Sequence, residues 1–492
     1  MRKQLLAIAA VVAVASGIQF GCSGNGAPSG FQGGNPGSVV VLGGDTPLCS
    51  VLSFSLGVSG LTLSPQGGGT PVSVLSSGSS ITLDFASLMD FTTMLTLSSV
   101  PAGTYTQLNV TVSNPLLTYL DASKSPPAVT TITPVVTPMS VSITLSPALT
   151  LSSNGTVGLN LDFNLLKSVL TNSTGQITGT VNPVFAASPA TPISQNSLGD
   201  LEDLEGIVQS VSPTSSNTAF TGSFVLQSAT GNNLTIHAAS STRFDGVSGL
   251  SGLTPDLFLE VHAHADTSGN LVADEVEAEA SEDATQGKVA LVGLITSVTR
   301  DAQGNATSFN LFVREEHPSV SSRIAAKVIL PVTIVSSTAF NVNAVGTDFA
   351  GFSFGPTTLG IGQQVVVHAQ LPSGSGTVTS ASARSIFLGL QSIVGNLSMA
   401  PNTPVVMGSD GLTGGFTLTP CSAVFQSQPI TVITSAQTAF VGVSSLAGLT
   451  SSSPTLIVKG LMVYQQSIGT LNGVSWVPPA NVQVAKQVHQ LP

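Results

Sequence analysis

Apolar and polar positions alternate in short runs along most of the chain. Val141-Ser142-Ile143-Thr144-Leu145 alternates strictly, and Val157 to Phe163 keeps the same period. A period of two puts every second side chain on one face, which is the pattern of a half-buried strand. Val39-Val40-Val41-Leu42, Val51 to Leu63, Ser80 to Phe85, Leu95-Thr96-Leu97 and Gln107 to Val112 also read as strands, and a short helix is expected near Asn164 to Val169. Turn signals at short spacing join these runs, so 38–185 reads as one β-sandwich-like domain. A break follows at 186–203, where Pro189, Pro192 and an acidic run suggest a linker.

Beyond the break the pattern repeats. Gly206-Ile207-Val208, Gly293-Leu294-Ile295 and Gly395-Asn396-Leu397 each open a segment. Each segment then carries a Thr-x-Phe: Thr242-Arg243-Phe244, Thr338-Ala339-Phe340 and Thr438-Ala439-Phe440. The first and third align further without a gap, TRFDGVSGLSGLT over TAFVGVSSLAGLT. Late strands follow at Leu257 to His262, Gln364 to His368 and Leu456 to Lys459, with closing strands at Glu275 to Ala280, Ser380 to Ile386 and Val482 to Val488. The units are placed at 204–285, 288–389 and 390–492. The period is far longer than the roughly 20–50 residues of a solenoid repeat, so three separate beads are expected.

Composition supports an all-β fold. Charged residues are only 8% of the chain, while Ser, Thr, Gly and Val dominate. Long helices need charged solvent faces, whereas branched Thr and Val suit a pleated surface. Apolar content of 42% is high enough to build cores. The net charge of −11 argues against nucleic acid as a partner, because that binding rests on Lys and Arg neutralising phosphates.

The beginning of the chain departs from the strand pattern. Arg2 and Lys3 precede an unbroken apolar run from Leu5 to Ala15, shorter than the roughly 20 residues a membrane span requires. This is the secretory pattern, with 1–21 read as a signal peptide. Two cleavage points compete: after Ala13-Val14-Ala15, or before Cys22 with lipidation of its thiol. Gln19-Phe20-Gly21-Cys22 resembles a bacterial lipoprotein box in its last two positions, while Gln19 and Phe20 depart from it. A Gly-, Ser-, Asn- and Pro-rich stretch, 22–37, then reads as a flexible tether. The expected location is the cell envelope, anchored at the outer membrane or in the periplasm through an N-terminal lipid. Two further cysteines remain, Cys49 and Cys421. They are read either as a disulfide, which requires contact between different units, or as buried thiols.

The three repeats resemble the bacterial domain of unknown function 5666, through the opening Gly, the central Thr-x-Phe and the late apolar strand with its closing partner. The second repeat departs from that pattern by a longer middle between Phe340 and Gln364. The first domain resembles the domain of unknown function 4382, through LSSVPAGTYT (Leu97 onward), Leu161-Asp162-Phe163 and Val181-Asn182-Pro183-Val184. The resemblance implies envelope lipoproteins without an assigned activity, and a small OB-like or related β-barrel for each repeat.

Candidate chemistry is sparse. The chain has no phosphate-binding P-loop, no H-E-x-x-H and only six histidines, so an enzyme is not expected. His262, His264 and Asp266 share one face of a strand, a pattern suited to a divalent metal. Fourteen acidic residues and one basic residue lie between Leu198 and Thr285, and Glu275, Glu277 and Glu279 share a strand face roughly 7 Å apart. A Ca²⁺ ion or a basic partner would relieve their repulsion, and a solvated face that guards a strand edge is the alternative. No other cofactor is expected. The functional expectation is a non-enzymatic envelope lipoprotein whose β-domains serve as spacers or as binding modules for an envelope protein or glycan. A carbohydrate-binding surface protein and a hydrolase of unfamiliar type are the alternatives.

Overall fold

A computed structural model describes residues 36–491 except for 47, 76–79, 90, 122, 125–127, 191–196, 215–218, 229–232, 319–322, 325–326, 343–346, 399–404, 427 and 451–453. The expected signal peptide, Cys22 and nearly all of the tether lie outside the described residues.

The N-terminal unit is a two-sheet sandwich. One sheet runs Phe185–Pro189, Thr156–Asn164, Gly37–Thr46, Thr93–Val100, with Gly37–Thr46 parallel to Thr156–Asn164. The other centres on the antiparallel pair Val51–Pro65 and Gly103–Asp121, flanked by Ser140–Leu151, Ala128–Ile132, Ile81–Asp84 and Val72–Ser73. Phe54, Phe85, Phe163 and Tyr105 are fully buried between them, and Phe163 stacks on Phe54 at 5.3 Å. The expected short helix occupies Leu165–Ser168, where the Asn164 side chain accepts from the backbone N–H of Lys167 at 2.9 Å. Tyr105 donates its hydroxyl to the Pro101 carbonyl at 2.7 Å, which closes the PAGTY turn and explains the residues of that motif.

The unbroken run Val39-Val40-Val41-Leu42 follows from burial on both faces. Val39 and Val41 enter the sandwich core, while Val40 and Leu42 enter the core of the first repeat. Alternation is needed only where one face meets water.

The three repeats share one topology. In the first, Ser197–Pro213, Gly222–Gln227, Asn233–Asp245, Leu257–Asp266 and Leu271–Ser281 close into a barrel with strand order 1-2-3-5-4. The second uses Lys288–Arg300, Ala306–His317, Ile329–Val342, Gln364–Gln370 and Ala381–Leu388 in the same order. In the third, Gln391–Leu397 pairs with both Gly414–Pro420 and Thr455–Gln465, which closes the same ring, and the third strand is split into Ile430–Thr434 and Ala439–Val441. In each barrel the third strand runs parallel to the fifth. These are the expected OB-like barrels.

The two motif positions have structural causes. A Cβ on Gly206, Gly293 or Gly395 would come within 2.4, 2.2 or 2.5 Å of a backbone oxygen on the second strand of its barrel, so only Gly allows that approach. Thr242, Thr338 and Thr438 each accept from the backbone N–H three residues earlier, at 2.8, 3.0 and 2.9 Å. Each also donates to a carbonyl of the fifth strand, at 2.7, 2.8 and 2.8 Å. The hydroxyl thus bridges the third and fifth strands where their register is interrupted.

Two expectations need correction. The expected linker, 186–203, has paired strands at both ends: Phe185–Pro189 completes the sandwich sheet, and Ser197–Pro213 is the first strand of the first barrel. Proline and acidic residues suggested a break, but Pro189 ends its strand and Asp200 lies in a paired one. The units are also not separate beads. Phe258 and Ile207 of the first barrel pack with Ala290, Val292 and Val366 of the second. Second and third barrels share a core cluster that includes Phe349, Leu461, Val463 and Trp476. The longer middle of the second repeat supplies much of this contact. Phe352 lies on Trp476 at 5.8 Å, and Gln363 Nε2 donates to the Met462 carbonyl at 2.8 Å. A disulfide joins Cys49 of the sandwich to Cys421 of the third barrel.

Candidate functional site

Charged side chains converge where the sandwich meets the first two barrels. Asp84 ends a sandwich strand, Glu205 lies on the first strand of barrel one, and Arg314, Glu315 and His317 end the second strand of barrel two. A cavity of ≈ 140 Å³ opens here, with Asp84, Phe91, Glu205, Arg314, Glu315 and Gln364 in its wall.

Most of these groups are held by defined partners. Asp84 accepts from Ser53 Oγ at 2.5 Å, from the Phe54 N–H at 2.8 Å and from Lys327 Nζ at 2.9 Å. Burial pushes the Asp84 carboxyl up, but Lys327, Ser53 and Arg314 outweigh it and hold its pKa below the usual carboxylate value. Lys327 Nζ also donates to the Arg314 carbonyl at 2.7 Å. Arg314 donates from Nε to the Leu52 carbonyl at 3.2 Å and from Nη1 to Gln364 Oε1 at 2.9 Å.

Glu205, Glu315 and His317 form a tighter group. One donor atom from each lies within 4.8 Å of the other two. His317 is 1% exposed, and its Nε2 lies 3.4 Å from Glu315 Oε2 without making a hydrogen bond. The Phe258 ring packs edge-on to the imidazole at 5.2 Å. Burial raises the pKa of Glu315, but His317 and Lys327 outweigh it and bring it below the ordinary value.

The residues expected to bind metal lie elsewhere and do not form one ligand set. His262 and Glu275 face each other across the hairpin of the fourth and fifth strands of barrel one, as alternation requires. Each then has its own local partner. His262 Nε2 lies 3.3 Å from Glu260, and His264 Nδ1 lies 2.9 Å from Asp274. Asp266 caps its own turn, accepting from the backbone N–H groups of Ser268 at 2.8 Å and Asn270 at 2.7 Å.

The glutamate row is relieved in three different ways. Glu275 lies 3.4 Å from Arg243. Glu277 holds its proton: burial, followed by the charges of Glu260, Glu279, Asp245 and Glu275, pushes its pKa up to about 8. Glu279 reaches across to His368 of barrel two. There His368 Nδ1 also meets Glu282 at 2.6 Å, and Arg384 Nη2 meets both Glu282 oxygens at 2.5 Å. Burial disfavours charge on His368, but its bonds to Glu279 and Glu282 outweigh that and push its pKa up to about 8. The sequence reading put the row on one face and missed its partners, since Arg243 precedes Glu275 by 32 residues and His368 lies 89 residues from Glu279. It missed Glu205, Glu315 and His317 altogether, because Glu315-x-His317 carries the signal of a shared strand face but Glu205 belongs to a different repeat.

The fold and its junction define an all-β protein in which a sandwich and three OB-like barrels are joined through buried polar contacts. Residues 37–179 match the family model described as domain of unknown function DUF4382, and residues 205–277 match the one described as domain of unknown function DUF5666. These are the families that the PAGTY and Thr-x-Phe motifs resemble. The second match falls in the first barrel, and the other two barrels share its strand order and its threonine bridge. No curated protein matches the chain. Among solved structures, one titled drosophila Unr CSD456 is similar at 10% identity over 61% of this chain and 99% of that one, with a TM-score of 0.13, at which no shared shape is asserted.

Proposed function

We propose that this protein is a non-enzymatic lipoprotein of the cell envelope, tethered through Cys22, whose β-units act together as one rigid spacer or binding body. The observation that carries this reading is the union of all four units by buried contacts. The disulfide ties the first to the last, Lys327–Asp84 ties the sandwich to barrel two, and His368 and Arg384 tie barrel two to barrel one. A rigid body at the end of a Gly- and Ser-rich tether presents its surfaces at a set distance from a membrane. The alternative of a carbohydrate-binding surface gains no support, because Trp476, the only tryptophan, is 8% exposed and covered by Phe352.

The test is the mass of the mature N-terminal peptide together with membrane fractionation. A diacylated or triacylated Cys22 in the membrane fraction is expected. An unmodified N-terminus at Ser16 in the soluble fraction would set the tethered reading aside.

A further inference from the structure

Glu205, Glu315 and His317 carry a function that the resemblances do not. We propose that they bind one first-row divalent transition metal ion, of the Zn²⁺ or Mn²⁺ class, that bridges the first and second barrels. This inference is independent of the envelope reading.

Three observations support it. The donor set is one imidazole nitrogen and two carboxylates, which suits zinc, manganese or iron(II) and is unlike the all-oxygen cage of Ca²⁺. His317 is almost wholly buried, yet its Nε2 has no hydrogen-bond partner among the described residues and faces Glu315. A buried imidazole nitrogen left in this way costs free energy that a metal bond would offset. The spacing also fits. Two ligands each about 2.1 Å from a tetrahedral ion lie roughly 3.4 Å apart, and His317 Nε2 lies 3.4 Å from Glu315 Oε2. A donor atom of Glu205 lies within 4.8 Å of one on each of the other two residues, which brings all three within reach of one ion.

The surroundings assign the remaining position. His317 forms the closed back of the site behind Phe258, whereas Glu205 and Glu315 line the ≈ 140 Å³ cavity. The fourth ligand would enter from that cavity, as water or as an anionic group drawn by Arg314 in the same wall. Because Glu205 belongs to barrel one and the other two ligands to barrel two, binding and inter-barrel packing are linked.

The experiment is titration calorimetry of the purified full-length chain, stripped with EDTA, against ZnCl₂ and MnCl₂, with metal content measured after dialysis. One equivalent retained, with a raised melting temperature, is expected. Glu205→Gln, at a part-exposed position, and His317→Gln should each weaken binding by about a hundredfold or more, since loss of a mere supporting partner already costs roughly 10–100-fold. A His262→Gln/His264→Gln control should bind as the parent does. No uptake by the parent chain would overturn the proposal. So would unchanged affinity in Glu205→Gln with a native circular dichroism spectrum, or loss of binding in the His262/His264 control alone.

Discussion

Cys49 and Cys421 are bonded to each other although 372 residues separate them along the chain. The bridge encloses the first two barrels and the first two strands of the third in one covalent loop. In the chain-entropy picture such a loop restricts the unfolded ensemble, and loss of a native bridge commonly costs about 2–5 kcal/mol. The double variant Cys49→Ser/Cys421→Ser should therefore melt at a lower temperature than the parent, and reductant should lower the parent's melting point toward it. Alkylation in denaturant without reductant should leave both positions unlabelled. Labelling of both would show that the bond is not made.

Lys327→Met should be strongly destabilising. It leaves the Asp84 carboxylate buried without its cation, a change that typically costs about 3–5 kcal/mol. Side chains of both residues are at most 10% exposed, so water cannot readily substitute. The pH dependence has a definite sign. Asp84 has a lowered pKa in the fold, so its contribution is present above its unfolded value of 3.8 and fades as pH falls through the lowered one. Urea denaturation of parent and variant at pH 7 and pH 3 would check this. Equal stability of the two at pH 7 would mean that the pair is open to solvent.

Stability should fall as pH rises from about 6.5 to past 8 through His368. Its folded pKa of about 8 lies above the unfolded 6.5, so its stabilisation is complete below 6.5 and lost as pH passes 8. A shift of this size corresponds to about 2 kcal/mol. Glu277 acts in the same direction between 4.5 and about 8, since its raised pKa favours the protonated form in the fold. The His368→Gln and Glu277→Gln variants should each flatten the slope, as measured by melting temperature from pH 5 to 9. An imidazole of His368 that titrates near 6.5 in NMR would count against the first assignment.

Thr438→Val should destabilise the third barrel by about 1–3 kcal/mol, because the buried Ser435 N–H and Ala485 carbonyl both lose their partner. Thr438→Ser keeps the hydroxyl and should recover most of the loss. The same pair of substitutions at Thr338 should cost less, because its bond to the Val335 N–H is exposed and water can replace it. If Val and Ser cost the same, the branched methyl rather than the hydroxyl is what the motif preserves.

Limited proteolysis should yield one large resistant body rather than four. The sandwich and barrels meet through Arg314–Leu52, Lys327–Asp84, Lys459 stacked at 4.6 Å on Phe91, and the Phe352–Trp476 contact. Early release of a single barrel under non-reducing conditions would contradict this packing.

Strands, barrels and the repeat were legible from the sequence because their causes are local. A strand declares itself by a period of two, and Gly206, Gly293 and Gly395 recur because each backbone must pass close to its neighbour. Thr-x-Phe recurs because each copy makes the same bridge within its own unit. Proline misled the reading at 186–203, since a strand end tolerates Pro189 as well as a linker does. The expected metal residues lie on two neighbouring strands, and spacing along the chain cannot show that Asp274, Arg243 and His368 are their partners.

By itself the sequence determined that the chain folds into strands, that a sandwich precedes three kindred barrels, and where the repeated glycines and threonines must stand. Only the tertiary structure decided how those barrels meet. Bringing Glu205 beside Glu315, Lys327 beside Asp84 and Cys49 beside Cys421 depends on docking between units far apart in the chain. Side-chain periodicity records which face of a strand is covered, and it carries no record of which distant surface covers it.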